Sequence, residues 1–300
     1  MPQGQSRKSS ASAARGNAAR EVNPLPTIWE VPDELWERFE KILKERYPVA
    51  RTGRPRTDLR RVLNGVIHRL RSGCQWNHLP EKFGDDSTIH RWFQRWVRDG
   101  VLEELWAVLL GECEELGGVD WRWQAADCCL GKSRMSGDKR GPNPTDRRKA
   151  GVKKSLLVER SGGPLGVEVA GANVNDHKLL EATINAIVVD RPDARTYPQN
   201  LCLDKGYDNK TGHGIAKAAG YEPHIKRIRE EQLDKRGRRR YPARRWVVER
   251  TLSWLQKCRA ILIRWDKKSA NYLGLLQLAC ALLWYRRLDK LTRLGGMGTM

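Results

Sequence analysis

The spacing of apolar residues changes character at Gly117-Gly118, and this break constrains the fold more than any other feature of the chain. Before it, apolar residues recur every three to four positions. Leu35, Trp36, Phe39, Ile42 and Leu43 mark one helical stripe, and Leu59, Val62, Leu63, Val66, Ile67 and Leu70 mark another. Ile89, Trp92, Phe93 and Trp96 mark a third, and a last helix runs from Leu102 towards Cys113. After the break come short, partly β-branched runs: 121–126, 155–158, 165–170 and 200–203. Helical spacing returns at 176–189 and 209–219, with a strand around 221–225, a long helix from about Arg245 and an apolar helix from Tyr272 to about Leu291. A helical part followed by strands that later alternate with helices predicts a small all-α domain ahead of a mixed α/β domain. The divisions expected are a basic disordered tail over 1–26, a helical domain over 27–116, an α/β domain over 117–292 and a flexible tail over 293–300. The first tail has an alternative reading as an arm that contacts DNA.

Local signals fix the helical part more closely. Asp33, Asp58 and Ser87 are the expected N-caps, and Gly100 the expected stop after a helix over 88–99. Two short helices about the turn 72–80 suggest a helix-turn-helix, with His90, Arg91, Gln94, Arg95 and Arg98 facing outwards. Such side chains suit phosphates and base edges. The alternative is a small helical domain with a solvated basic face.

Charge narrows the partner. A formal net charge of +20 on 300 residues points to a polyanion, since phosphate neutralisation releases counterions. The seven cysteines show no zinc spacing and no complete disulfide framework, which suits a reducing compartment. The longest apolar stretch, 273–285, is too short to span a bilayer, and no signal-peptide core is evident. A soluble, cytoplasmic protein without a membrane partner is expected.

Three acids stand where chemistry is possible. Asp127 follows the run 121–126, and Asp204 follows Asn-Leu-Cys-Leu, so both are expected at the rim of a sheet. Glu249 lies on a helix where Arg245, Glu249, Ser253 and Lys257 recur at four-residue spacing. Each has an ordinary alternative: Asp204 as a strand-end turn residue, Arg245 with Glu249 as a surface pair. Together they lie beside dense cations. Residues 132–154 hold nine Lys or Arg against two acids, and residues 226–250 hold eleven against four. Carboxylates among such cations suit hard divalent metals and phosphodiester chemistry. His177 is either a group near this site or a cap for the helix that follows.

Five strings in order carry a resemblance. They are Leu-Arg-Ser-Gly-Cys-Gln-Trp at 70–76 with Leu79-Pro80, Gly-Pro-Asn-Pro-Thr-Asp-Arg-Arg-Lys at 141–149, Gly-Ala-Asn-Val-Asn-Asp-His at 171–177, Leu-Asp-Lys-Gly-Tyr-Asp at 203–208 and Arg-Trp-Val-Val-Glu-Arg-Thr at 245–251. Over residues 30 to 290 the chain resembles insertion-sequence transposases with a DDE triad, the group around insertion sequence five. The resemblance implies a ribonuclease-H-like mixed sheet with flanking helices, preceded by the helix-turn-helix-like domain. It implies Asp127, Asp204 and Glu249 as catalytic, metal-holding residues, with two Mg2+ ions or Mn2+ in their place. Of the Tyr-Arg-Glu-Lys signature around the last acid, Arg245 and Glu249 keep the family spacing, whereas Tyr241 lies one position early and Lys257 one late.

The function expected is binding of terminal inverted repeats, strand cleavage and joining of 3′-OH ends to target DNA. The partners are double-stranded DNA and at least a second copy of the chain. Arg91, Arg95, Arg98, Arg238, Arg239, Arg240, Arg245 and Lys257 are the expected DNA contacts. The other functions weighed are a non-catalytic DNA-binding regulator and a metal-dependent nuclease on the same fold. The expected setting is a bacterial or archaeal cytoplasm, in association with the nucleoid.

Overall fold

A computed structural model describes residues 27–48, 52, 55–225 and 246–295. The expected tail over 1–26, part of the basic stretch 51–56, Arg238, Arg239, Arg240, Tyr241 and Arg245 lie outside the described residues.

The helical part contains α1 (Asp33–Arg46), α2 (Leu59–Ser72), α3 (Asp86–Arg98) and α4 (Val101–Glu115). Asp58 caps α2 as expected, its side chain accepting from the backbone N–H groups of Arg60 and Arg61. Gly73, at φ 70°, ends that helix in the left-handed conformation that glycine adopts without a Cβ clash. Two other caps differ from expectation. Pro32 occupies the N-cap of α1, and Asp33 lies in its first turn, paired with Arg60. For α3 the cap is Asp85, whose carboxylate accepts from Thr88 N–H at 2.7 Å; Ser87 is already helical. A carboxylate placed two residues earlier reaches the orphan N–H better than a serine inside the turn. Between α2 and α3 the chain makes two single 3-10 turns, Trp76–His78 and Glu81–Phe83.

The sheet comprises β1 (Trp123–Ser133), β2 (Gly141–Pro142), β3 (Ala150–Glu159), β4 (Pro164–Gly171), β5 (Gln199–Leu203), β6 (Tyr221–Ile225) and β7 (Ile263–Arg264). Its long strands lie in the order β4-β3-β1-β5-β6. β3 runs antiparallel to both its neighbours, β4 and β1, and β5 and β6 run parallel to β1. This is the ribonuclease-H-like arrangement. The remaining helices are α5 (His177–Asn185), α6 (Lys210–Ala218), α7 (Trp246–Gln256), α8 (Arg259–Leu262) and α9 (Ser269–Gly295). His177 is the first helical residue of α5 and Asp176 its N-cap, so His177 does not cap the helix. The last helix runs three residues into the expected C-terminal tail, and Arg293 pairs with Asp289 one turn back.

The helical part and the sheet share one hydrophobic core. α4 buries Leu102, Leu105, Leu109 and Cys113 and packs along α9. A Cβ on Gly274 of α9 would stand 2.4 Å from Val97 of α3, so α3 and α9 approach where glycine allows it. Trp106 of α4 and Trp284 of α9 both donate their indole N–H to the carbonyl of Pro164, at 3.1 and 2.6 Å. Elsewhere in the interior, Arg69 of α2 faces Asp266 at 3.5 Å, both buried. Among the described residues no helix is long and apolar enough to cross a membrane.

A fragment of residues 27–116 made alone would leave the α9-facing side of α4 in water. It is expected to melt without a cooperative transition, whereas the full chain melts sharply. Circular dichroism at rising temperature checks this. A sharp transition in the fragment would show that the helical part closes its own core.

Candidate active site and basic surface

The parallel pairing of β1 with β5 brings two of the three acids together. Trp123 stands level with Asn200, Gln124 with Leu201 and Ala125 with Cys202. Two residues further on, the same register sets Asp127 beside Asp204. In-register residues of parallel neighbours point to the same face, with strands about 4.8 Å apart. Asp127 is not at the end of its strand, as the sequence suggests. β1 continues to Ser133 because β3 pairs with its other edge as far as Lys132. It is β5 that stops, at Leu203, which opens the rim at this level. Both carboxylates are tied to the backbone. Asp127 accepts from Cys128 N–H at 2.7 Å, and Asp204 from Gly206 N–H at 2.6 Å.

The third acid comes from α7. Cys129, two residues along β1 from Asp127 and on the same face, accepts from Gln256 of α7 at 2.6 Å. Gln256 lies seven residues beyond Glu249, two helical turns along one stripe. The helix buries Val247, Val248, Thr251, Leu252 and Leu255 and leaves Glu249 exposed. Glu249 is thus carried over the face that bears Asp127. Among the described residues, no three His, Cys, Asp or Glu stand close enough together to hold a metal ion. The structure pairs the aspartates and delivers the glutamate on the covering helix without closing the three into a nest.

The opposite face of β1 is occupied differently. Cys128 contacts the hydroxyl of Tyr207 at 3.4 Å, and burial pushes its thiol up to about 12. Thr183 of α5 donates to Ser155, the partner of Cys128 across the β1–β3 ladder. Asp176 is held by Lys153, which also donates to the Val174 carbonyl at 2.6 Å. Lys154 is buried, and burial holds its ammonium below the usual lysine range. Two of the nine cations in 132–154 are therefore internal. Exposed Arg147 and Arg148, by contrast, both sit at positive φ (48° and 58°) in the loop 143–149. Non-glycine residues seldom adopt that conformation, and it concentrates at functional sites. Nothing in the sequence marks their backbone, only the charge density.

Arg91, Arg95 and Arg98 are exposed along α3 as expected. Their freedom differs. Arg98 bonds Asp99 at 2.9 Å, and Arg95 lies over Tyr47 at 4.2 Å and over Trp92 at 5.1 Å. Arg91 donates to Thr88 one turn earlier, at 3.1 Å. His90 does not point outwards: its ring stacks on Trp76 at 4.5 Å, and desolvation lowers its pKa. Lys257 lies just past α7 and lines a large cleft together with Arg250 and Trp254. Those two were not singled out in the sequence, although Trp246, Arg250 and Trp254 recur there every fourth residue.

Comparison with known proteins gives two family matches. Residues 31–106 match the "Putative transposase of IS4/5 family" model, and residues 120–284 match "Transposase DDE domain". The chain is 35% identical over 157 residues to the "Putative transposase for insertion sequence element IS402" of Burkholderia cepacia, spanning 51% of this chain and 71% of that one. It is 28% identical over 118 residues to the same organism's "Insertion element IS402 uncharacterized 16.2 kDa protein", covering 38% and 80% of the two chains. Among solved structures, the catalytic domain of Mos1 mariner transposase aligns at 10% identity with a TM-score of 0.27, over 63% of this chain and 91% of that one.

Proposed function

On the premise that this chain belongs to the transposase DDE-domain family and is a DDE transposase, we propose that Asp127, Asp204 and Glu249 are its catalytic triad. The observation that carries this is the β1–β5 register, which, continued two residues past its last pair, levels Asp127 with Asp204 just beyond the end of β5. Their carboxylates are hard oxygen donors, the chemistry that Mg2+ prefers, and Mn2+ accepts the same set. The three acids would hold two divalent ions, which would supply Lewis-acid activation and neutralise charge at the reacting phosphate. The backbone N–H groups of Cys128 and Gly206 fix how the two aspartates are turned. Glu249 would complete the donor set from α7.

The substrate is double-stranded DNA. Water attacks the phosphodiester at an element end, the P–O bond to the 3′ oxygen breaks, and a 3′-OH is released. That 3′-OH then attacks a phosphodiester of the target, and the target's own 3′ oxygen leaves. α3 reads the terminal repeat, with Arg91 the best placed of its arginines because Arg95 and Arg98 are engaged within the protein. Arg238, Arg239, Arg240, Arg245 and Lys257 hold the phosphate backbone. Two copies of the chain act together, since both element ends must be held.

The test is a labelled element end and an unlabelled target incubated with the full chain. Cleaved 3′ ends and joined products are expected with Mg2+ or Mn2+ and neither with chelator. Cleavage in chelator would exclude the metal-dependent reading, and cleavage without any joining would favour a nuclease.

A further inference from the structure

A large cleft among the described residues lies away from the paired aspartates. It opens between α2, α7 and α9 and has a volume of about 1170 Å³. Its sheet-side wall is the turn between β3 and β4, residues 161–164. That turn follows Glu159, which pairs with Gln124, three residues from Asp127 along β1. The aspartate pair is therefore about 10 Å or more along the sheet from this wall.

The lining is one-signed. It includes seven Lys or Arg side chains, one of which, Arg287, is paired with buried Glu159, and no Asp or Glu occurs among the described lining residues. Arg71 of α2 and Arg286 of α9 crowd each other. Burial and the neighbouring Arg71 charge hold the Arg286 guanidinium below its ordinary value. Lys290 is exposed one turn further along α9. Indole rings interleave with these cations. Trp29 is 48% exposed and Trp254 37%, and the Arg250 guanidinium lies 4.7 Å from the rings of both Trp246 and Trp254.

Crowded cations in a partly desolvated cleft favour an anion that runs along them, the phosphate backbone of a nucleic acid. Exposed indoles between the cations add what a duplex cannot use, because its bases are already stacked on one another. Bases of an unpaired strand can stack on them. The geometry points to a binding groove for single-stranded DNA, apart from the paired aspartates, with α7, the helix that carries Glu249, as one of its walls. The choice of DNA rests on the transposase reading; the preference for a single strand rests on the cleft itself.

The test uses the full chain and a labelled oligothymidine of about 16 nucleotides, near the upper site size of strand-binding folds. Fluorescence anisotropy measures affinity across a salt series, with a blunt duplex of equal length as competitor. Trp254→Ala is expected to weaken oligothymidine binding roughly 5- to 150-fold, the loss of one stacked base, while Trp254→Phe retains most of it. Lys290→Ala is expected to flatten the log–log salt dependence by about 0.7. Thermal melting identifies any variant that fails to fold, in which case Lys290→Ala and Arg286→Ala decide alone. Wild-type affinity and salt slope in the folded variants would overturn the groove. A duplex that displaces the oligothymidine at lower concentration than unlabelled oligothymidine would overturn the single-strand preference. Asp127→Asn is expected to bind the oligothymidine normally. Normal binding by a wild-type chain that never cleaves would count against the transposase mechanism and leave the groove standing.

Discussion

Asp127→Asn, Asp204→Asn and Glu249→Gln are each expected to lower Mg2+-dependent cleavage of an element end by at least about a thousandfold. Loss of a catalytic electrostatic contact at a phosphoryl centre has effects on that scale. Each substitution keeps the shape of the side chain and removes the charge that attracts a divalent ion. Melting temperature and DNA affinity are expected to stay near wild type, because Glu249 is exposed and both aspartates are bonded to local N–H groups that an amide oxygen still satisfies. Double substitutions within the triad are expected to cost little more than single ones, since the acids act as a unit. Asp190 and Asp193 give the control. Both are exposed ahead of β5, and Asp193 is occupied by Arg195 at 2.7 Å. Their neutralisation is expected to leave cleavage within about twofold, as for ordinary surface residues. Near-normal cleavage by any triad variant would remove that residue from the site.

The second large effect concerns stability and centres on Glu159. Its carboxylate is fully buried, accepting from Ser161 N–H at 2.9 Å, Gly163 N–H at 2.7 Å and Arg287 of α9 at 2.7 Å. The turn it organises is also held from α7. Arg250 donates to the Ser161 carbonyl at 2.6 Å and Thr251 to that of Gly162 at 2.8 Å. One buried acid thus joins the β3–β4 turn to α9 and steadies the contact of α7 with the sheet. Glu159→Ala strands two backbone donors and a guanidinium, and is expected to lower the unfolding free energy by about 3–5 kcal/mol. Glu159→Gln keeps an acceptor and is expected to lose less. Urea titration measures both, and a loss below about 1 kcal/mol for Glu159→Ala would show that water replaces the network.

These two cases differ in how far the sequence reveals them. Asp204 was legible because an apolar run stops at it, and strand and acid appear together in the chain. Asp127 was legible as a residue but not in its position. The stretch Cys-Cys-Leu-Gly-Lys after it has no clear alternation, and β1 is extended only by pairing with β3, a long-range contact. Glu159 reads as an ordinary charge at a strand end, because its partner Arg287 lies 128 positions away. Arg95 reads as a free cation for the same reason: Tyr47, half the helical region away, lies against it. The shared core did leave a sign. α4 carries Val101, Leu102, Leu105, Trp106, Leu109, Leu110 and Cys113, too wide an apolar surface for a helix with one dry side. What local spacing could not supply was the identity of the covering helix, α9, which begins more than 150 residues later.

In the proposed mechanism the paired aspartates and the helix glutamate would hold the same divalent ions at the reacting phosphate. Mn2+ uptake by the full chain with element-end DNA bound, counted by electron paramagnetic resonance, tests it most directly. The wild type is expected to take up two Mn2+ ions, and Asp127→Asn, Asp204→Asn and Glu249→Gln each to lose tight binding of at least one. Uptake unchanged in all three variants would contradict the account.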